Sequence, residues 1–245
     1  MESARSSAVN SHQNGKLFKL YRLLNPIRWL VKSTKQRGFR QTAAIGLGFA
    51  EDYLFDLRHG TDTVRSVEMD ALPFSAENKS NSSVYGATKA RPFLTLMKEL
   101  KLPKTSTFVD FGSGKGRVLM LASQAGFKRV IGVEFSPELC QIARRNLQKF
   151  QAKTGTGHQV EIQECDATQF EITPDQQIFY MFNPFNAKIV GQVIANIGRS
   201  IAIAPRPCWL IYLIPLQHET VVNGKVFRTH LARTLYGAEY QLYTT

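Results

Sequence analysis

The chain has 245 residues, 43% of them apolar, and sets 31 Lys or Arg against 19 Asp or Glu for a formal charge of +12 at pH 7. That length and apolar fraction suffice for one sizeable core and exclude a fibrous or wholly disordered chain. The positive excess favours anionic partners without implying that a base sequence is read. Cys140, Cys165 and Cys208 lack the paired spacing of a zinc site or a disulfide framework, so no metal is expected and a reducing, cytoplasmic setting is. No run reaches the roughly 18 apolar residues of a spanning helix, and no signal peptide is visible.

Residues 1–15 are polar and small, a composition expected to stay disordered. From Lys16 to Arg40 there are eight Lys or Arg and no Asp or Glu. Leu17, Leu20, Tyr21 and Leu24 recur at helical spacing, Pro26 interrupts them, and Ile27, Leu30 and Val31 resume the stripe. Such a basic amphipathic stretch suits an anionic membrane surface, a nucleic-acid backbone, or packing across the chain's own domain with its charges in water. Phe55 to Thr63 is dense in polar groups and falls outside any clear periodic element. It reads either as a lid or pocket wall, or as a loop fixed by Asp–Arg pairing. Tyr85-Gly86-Ala87-Thr88 then precedes a helix expected over Arg91–Leu100.

The next segment is the most informative. Phe108-Val109-Asp110-Phe111 is a short apolar strand ending in an acid, and it runs into Gly112-Ser113-Gly114-Lys115-Gly116-Arg117. Glycines at every second position let a backbone approach a ligand closely, and the helix expected over Val118–Ala125 aims its N-terminus at the same place. A dinucleotide fingerprint would need its third glycine at Arg117. A Walker-type loop would need Ser or Thr at Gly116 and a glycine at Val109.

Strand and helix then alternate. Val130–Glu134 is a buried strand ending in an acid, followed by a helix with Ser136 as cap and Pro137 in its first turn. An acid at that second strand tip can accept hydrogen bonds from both hydroxyls of a ribose, or it can cap the helix. Val160–Cys165 alternates as a strand and leads to Asp166-Ala167, where the aspartate could equally start a turn. Ile178–Phe182 is continuously apolar, as a central strand should be, and delivers Asn183-Pro184-Phe185 to its carboxyl end. A helix over Ala187–Ile197 and a strand over Trp209–Ile214 follow. Lys225–Thr229 and Glu239–Thr244 look like two closing strands.

The D-x-G-x-G-x-G pattern at Asp110, Gly112, Gly114 and Gly116 resembles the first motif of the class I S-adenosylmethionine-dependent methyltransferases, and the likeness covers about residues 85–245. It implies an α/β fold with a Rossmann-like seven-stranded sheet, helices on both faces, and here an N-terminal helical extension. The domains would be a disordered stretch over 1–15, a basic helical extension with a lid-like segment over 16–84, and the catalytic domain over 85–245. The cofactor implied is S-adenosyl-L-methionine, contacted by Asp110, Gly112, Ser113, Gly114, Gly116 and Arg117, with Glu134 and Phe135 near the ribose and Asp166 and Ala167 near the adenine.

Asn183-Pro184-Phe185 resembles the N/D-P-P-Y/F motif of amino-group methyltransferases, shortened by one proline. That likeness implies a catalytic role in which Asn183 accepts hydrogen bonds from the target N–H groups and Phe185 stacks on the substrate. The Gly-Ser-Gly-x-Gly turn is also similar to that of the non-SET lysine methyltransferases, which suggests Tyr85 and Thr88 as cofactor neighbours. Phe55–Thr63 resembles an F-D-x-R-x-G-x-D-T segment that precedes the catalytic domain in a group of bacterial methyltransferases.

The function expected is N-methylation of a macromolecule, protein or RNA, with residues 16–40 available to a membrane or nucleic acid. A lysine acceptor must lose a proton before attack, and Asn-Pro-Phe contains no base, which favours an amide or adenine-type amine. The competing readings are a small-molecule or oxygen methyltransferase, and a non-catalytic module that binds RNA or membrane through the same fold.

Overall fold

A computed structural model describes residues 34–35, 38–64, 87–156 and 159–245. The expected disordered stretch 1–15, nearly all of the basic segment 16–40, and Tyr85 lie outside the described residues. By internal contacts the chain divides into residues 1–50 and 51–245. Helix α1 (Phe39–His59) begins in the first unit, and its last turns, from Glu51 onward, belong to the second.

The second unit continues with α2 (Ala90–Leu100), β1 (Thr107–Phe111), α3 (Arg117–Gln124), β2 (Val130–Glu134), α4 (Pro137–Thr154) and β3 (Val160–Glu164). It closes with β4 (Gln176–Phe182), α5 (Ala187–Ile203), β5 (Trp209–Leu213), α6 (His218–Asn223), β6 (Arg228–Leu235) and β7 (Ala238–Thr244). The seven strands form one sheet in the order β3-β2-β1-β4-β5-β7-β6. β1 to β5 are parallel, and β7 inserts antiparallel between β5 and β6. This is the Rossmann-like seven-stranded sheet expected from the sequence. The order reverses between β1 and β4, and in an open parallel sheet a crevice opens at the carboxyl ends of the strands at such a point.

The central strands form because they are apolar on both sides. Phe108, Tyr180 and Ile211 pack on one face with Phe93, Leu96, Leu119 and Phe150 from the helices there. Val109, Phe111, Phe179 and Met181 pack on the other with Val190, Val193 and Ile194 of α5. The edges are polar instead: β3 exposes Glu161 and Glu164, ion-paired to Arg129 and Arg144, and β6 exposes Arg228, His230 and Arg233. Charged edges of this kind discourage pairing with another chain.

Several elements differ from expectation, among them α6, a short helix where none was expected after β5. β6 starts at Arg228 rather than Lys225 and continues to Leu235, because as an edge strand it lacks the apolar alternation that would reveal its extent. α5 runs on to Ile203. Phe55–His59 is helical, ending at Gly60 with φ +71°, because α1 turns Asp52, Phe55, Asp56 and His59 inward and leaves Tyr53, Leu54 and Leu57 exposed.

Gly132 marks the closest approach of helix to sheet. A Cβ there would sit 2.6 Å from Leu119 Cδ1 and 2.7 Å from Ser113 Oγ. Leu119 and Ser113 are both buried, so neither can yield cheaply. Gly132→Ala is expected to destabilise the fold by about 1–3 kcal/mol, read as a fall in Tm and in denaturant midpoint.

Candidate active site

The glycine loop between β1 and α3 turns through positive φ at Gly112, Gly114 and Gly116 (77°, 52° and 81°), a path closed to most side chains. The amides of Gly112 and Ser113 both donate to the Val133 carbonyl at 2.9 and 3.1 Å, which fastens the loop to β2. A Cβ on Gly112 would lie 2.6 Å from Pro184 Cβ, so the Asn-Pro-Phe turn after β4 presses directly on the loop. β1 and β4 are neighbours, with Asp110 paired to Tyr180 and Phe111 to Met181, and this register carries the two turns to one edge.

Two acids stand beneath this edge. Glu134, 5% exposed, accepts from the Gly114 amide at Oε2 (2.9 Å) and from the Ser136 amide at Oε1 (3.0 Å). The Phe135 amide is a third donor to this carboxylate, which still keeps some acceptor capacity. The cap of α4 is a separate bond, Leu139 N–H to Ser136 Oγ at 3.2 Å. Asp110 is 2% exposed, and among the described residues its carboxylate has no hydrogen-bond partner. Burial, and then the charge of Glu134, raise its pKa well above the usual carboxylate range. Burial also raises that of Glu134, against the hydrogen bonds it receives. A buried carboxylate pair without a cation is costly, and a ligand carrying positive charge relieves it.

The remaining candidates divide. Asp166 is exposed and holds its own turn, accepting from Thr168 N–H and Oγ1 at 2.7 and 2.8 Å, with Ala167 buried beside it. Phe135 is half-buried after the tip of β2. Thr88 is buried, its hydroxyl 3.2 Å from that of Tyr180 on the strand beside Asp110. Asn183 adopts φ +38°, which Asn tolerates better than most residues, and it is half-buried with Pro184 and Phe185. Its Oδ1 accepts from the Tyr212 hydroxyl at 3.4 Å. Burial pushes that hydroxyl's pKa up to about 12, so it stays a donor.

The Arg117 guanidinium is occupied elsewhere, by Asp52 Oδ1 at 2.7 Å and Thr63 Oγ1 at 2.6 Å. Nothing in the sequence singles out Asp52 or Tyr212, since one lies in a helix with inverted polarity and the other inside an apolar strand. No group of three or more His, Cys, Asp or Glu able to hold a metal occurs among the described residues, and no helix among them is long and apolar enough to cross a membrane.

Residues 64–170 match the family model described as histone methylation protein DOT1. That stretch includes the glycine loop, Glu134 and Asp166 and stops short of Asn183. A SAM-dependent methyltransferase from Aquifex aeolicus superposes with a TM-score of 0.50 at 14% identity, over 64% of this chain and 93% of the other. An RNA methyltransferase from Salinibacter ruber, solved with S-adenosyl-L-homocysteine, gives 0.48 at 20% identity over 63% and 90%. No curated protein matches the chain. The fold, strand order and matched family model define a class I S-adenosylmethionine-dependent methyltransferase.

The site fits the cofactor of that class. Among the described residues Asp110 has no cation beside it, and Glu134 retains acceptor capacity. Glu134→Ala is expected to weaken S-adenosylhomocysteine binding by about 1–3 kcal/mol in calorimetric titration, through loss of a charged acceptor.

A pH effect follows from the direction of the shifts. A carboxylate whose folded pKa is raised contributes stability below its unfolded value, near ~3.9 for Asp, and loses it as pH rises through the folded value. Ionising the pair therefore costs more as pH rises through the raised value, and a cationic ligand offsets that cost. Cofactor affinity is expected to rise with pH across the window between the ordinary and the raised value, and Asp110→Asn to flatten that dependence.

Proposed function

We propose that the protein methylates a nitrogen of a macromolecular acceptor at Asn183-Pro184-Phe185. The observation that carries this reading is the position of Asn183. It follows the strand next to β1, its turn packs on Gly112, and its Oδ1 receives a long bond from Tyr212 that leaves room for a second donor. S-adenosylmethionine, when bound, supplies a methyl group activated by its sulfonium. The chain's own part is alignment and exclusion of water. Asp110 and Glu134 hold the cofactor's polar groups, Asn183 accepts the N–H bonds of the target and so turns its lone pair toward the methyl, and Phe185 packs beside a planar acceptor.

The macromolecular acceptor is supported by the formal charge of +12, by the basic segment before the catalytic domain, and by the family model matched over residues 64–170, whose description is histone methylation. Protein is accordingly the first acceptor pool to offer, and RNA the second.

The test supplies methyl-labelled cofactor to purified protein, RNA and small-molecule pools. The label is expected in a macromolecular product, on nitrogen. Asn183→Ala is expected to lower turnover by about 100-fold with S-adenosylhomocysteine affinity kept, as alignment loss demands. Label confined to small molecules or to oxygen, or full turnover by Asn183→Ala, overturns the reading.

A further inference from the structure

Two cations flank the last glycine of the cofactor loop, and both are buried: Lys115 and Arg117 are each 2% exposed. Charges so deeply placed need counter-charges, and losing one leaves a costly unpaired ion. Their carboxylate partners come from the segment at the end of α1 rather than from the sheet. Arg117 Nη2 pairs with Asp52 Oδ1 at 2.7 Å, while Nη1 donates to Thr63 Oγ1 at 2.6 Å and lies 3.7 Å from Asp56 Oδ1. The guanidinium carbon stands 4.4 Å from the Phe55 ring centroid, a cation–π distance. Lys115 Nζ reaches Asp62 Oδ2 at 3.4 Å.

Backbone bonds tie the same pieces together. Asn146, buried on α4, accepts from the Asp62 amide at 2.9 Å and donates Nδ2–H to the carbonyls of Asp62 and Lys115 at 3.2 and 3.1 Å. The segment is itself rigid, since Asp56 accepts from the Thr61 and Thr63 hydroxyls and from the Thr63 and Val64 amides at 2.6 to 2.9 Å. Burial alone would raise the Asp56 pKa, but these four bonds outweigh it and hold the carboxyl below its usual value. Asp52 also binds Lys89 at 3.0 Å, so one carboxylate links α1, the start of α2 and the glycine loop.

We infer that residues Asp52–Thr63 are a working part of the cofactor site: they brace the glycine loop through Arg117 and Lys115, and cofactor affinity depends on that brace. Gly114 donates to Glu134, and the residues on either side of Gly116 are the ones the brace holds. Arg117 is then a positioning residue. Freeing it lets the loop wander, and binding must order the loop again at the expense of affinity. The inference rests on the class of the enzyme and not on the identity of the acceptor.

The experiment titrates the full chain with S-adenosylhomocysteine, far below the melting temperature of each variant, and follows amide exchange over Gly112–Arg117. Asp52→Asn and Thr63→Val are expected to bind about tenfold or more weakly and to exchange faster in the loop, with β5 still protected. Lys98→Ala, an exposed residue of α2 outside the brace, is expected to bind as the wild type does. If Asp52→Asn fails to fold, Thr63→Val decides, since it removes one hydroxyl and leaves the ion pair. Wild-type affinity in the folded variants, with only a lower Tm, would show a brace for the fold and not for the cofactor, and overturns the inference.

Discussion

Two buried carboxylates set the electrostatic demand at the carboxyl edge of this sheet. Asp110 and Glu134 are brought to the carboxyl edge of adjacent parallel strands, where the surroundings bury both and the described residues supply no cation to Asp110. Such a pair is tolerable only if something else holds the fold firmly enough to carry its cost. The strands beneath supply that firmness: Phe108, Val109, Phe111, Phe179 and Tyr180 are fully buried on the two faces of the sheet. A ligand that brings positive charge and hydroxyls to this edge offsets the cost of burying the two carboxylates, which connects the packing of the sheet to the binding of a sulfonium nucleoside.

The glycine loop connects that electrostatic demand to the rest of the chain. Its inner side meets Glu134 and Pro184, and its outer side is held by charges buried against the end of α1. The loop thus has two supports of different kinds, hydrogen bonds to β2 within the sheet and ion pairs to a segment that precedes the sheet in sequence. Backbone at φ near +80° gains little from local propensity, so the supports keep it in a binding-ready path.

Much of this was legible in the sequence. Val130–Glu134 appears with the boundaries read from its apolar run, Ser136 caps α4 as its residue type suggests, and the strand–glycine–helix order of Phe108–Arg117 led directly to the class of the enzyme. Those features are local, since one hydrophobic run or one cap residue specifies them. The brace was hidden for a physical reason. In the last turns of α1 the acids Asp52 and Asp56 face inward while Tyr53, Leu54 and Leu57 face water, so hydrophobic periodicity points the wrong way. Asp–Arg pairing was among the readings of Phe55–Thr63, but the arginine is Arg117, remote in sequence, and no local pattern reveals such a partner. The contact between Tyr212 and Asn183 was hidden likewise, because a tyrosine within an apolar strand reads as core.

The central claim is that the strand tips at Asp110, Glu134, Asp166 and Asn183 surround one S-adenosyl ligand. A crystal structure of the chain with S-adenosylhomocysteine tests it most directly. The ribose hydroxyls are expected on Glu134, the ammonium near Asp110, the adenine beside Asp166, and the sulfur facing Asn183. A ligand seated on another face of the sheet, or a crevice that stays closed by Pro184 and Phe185 at saturating ligand, contradicts it.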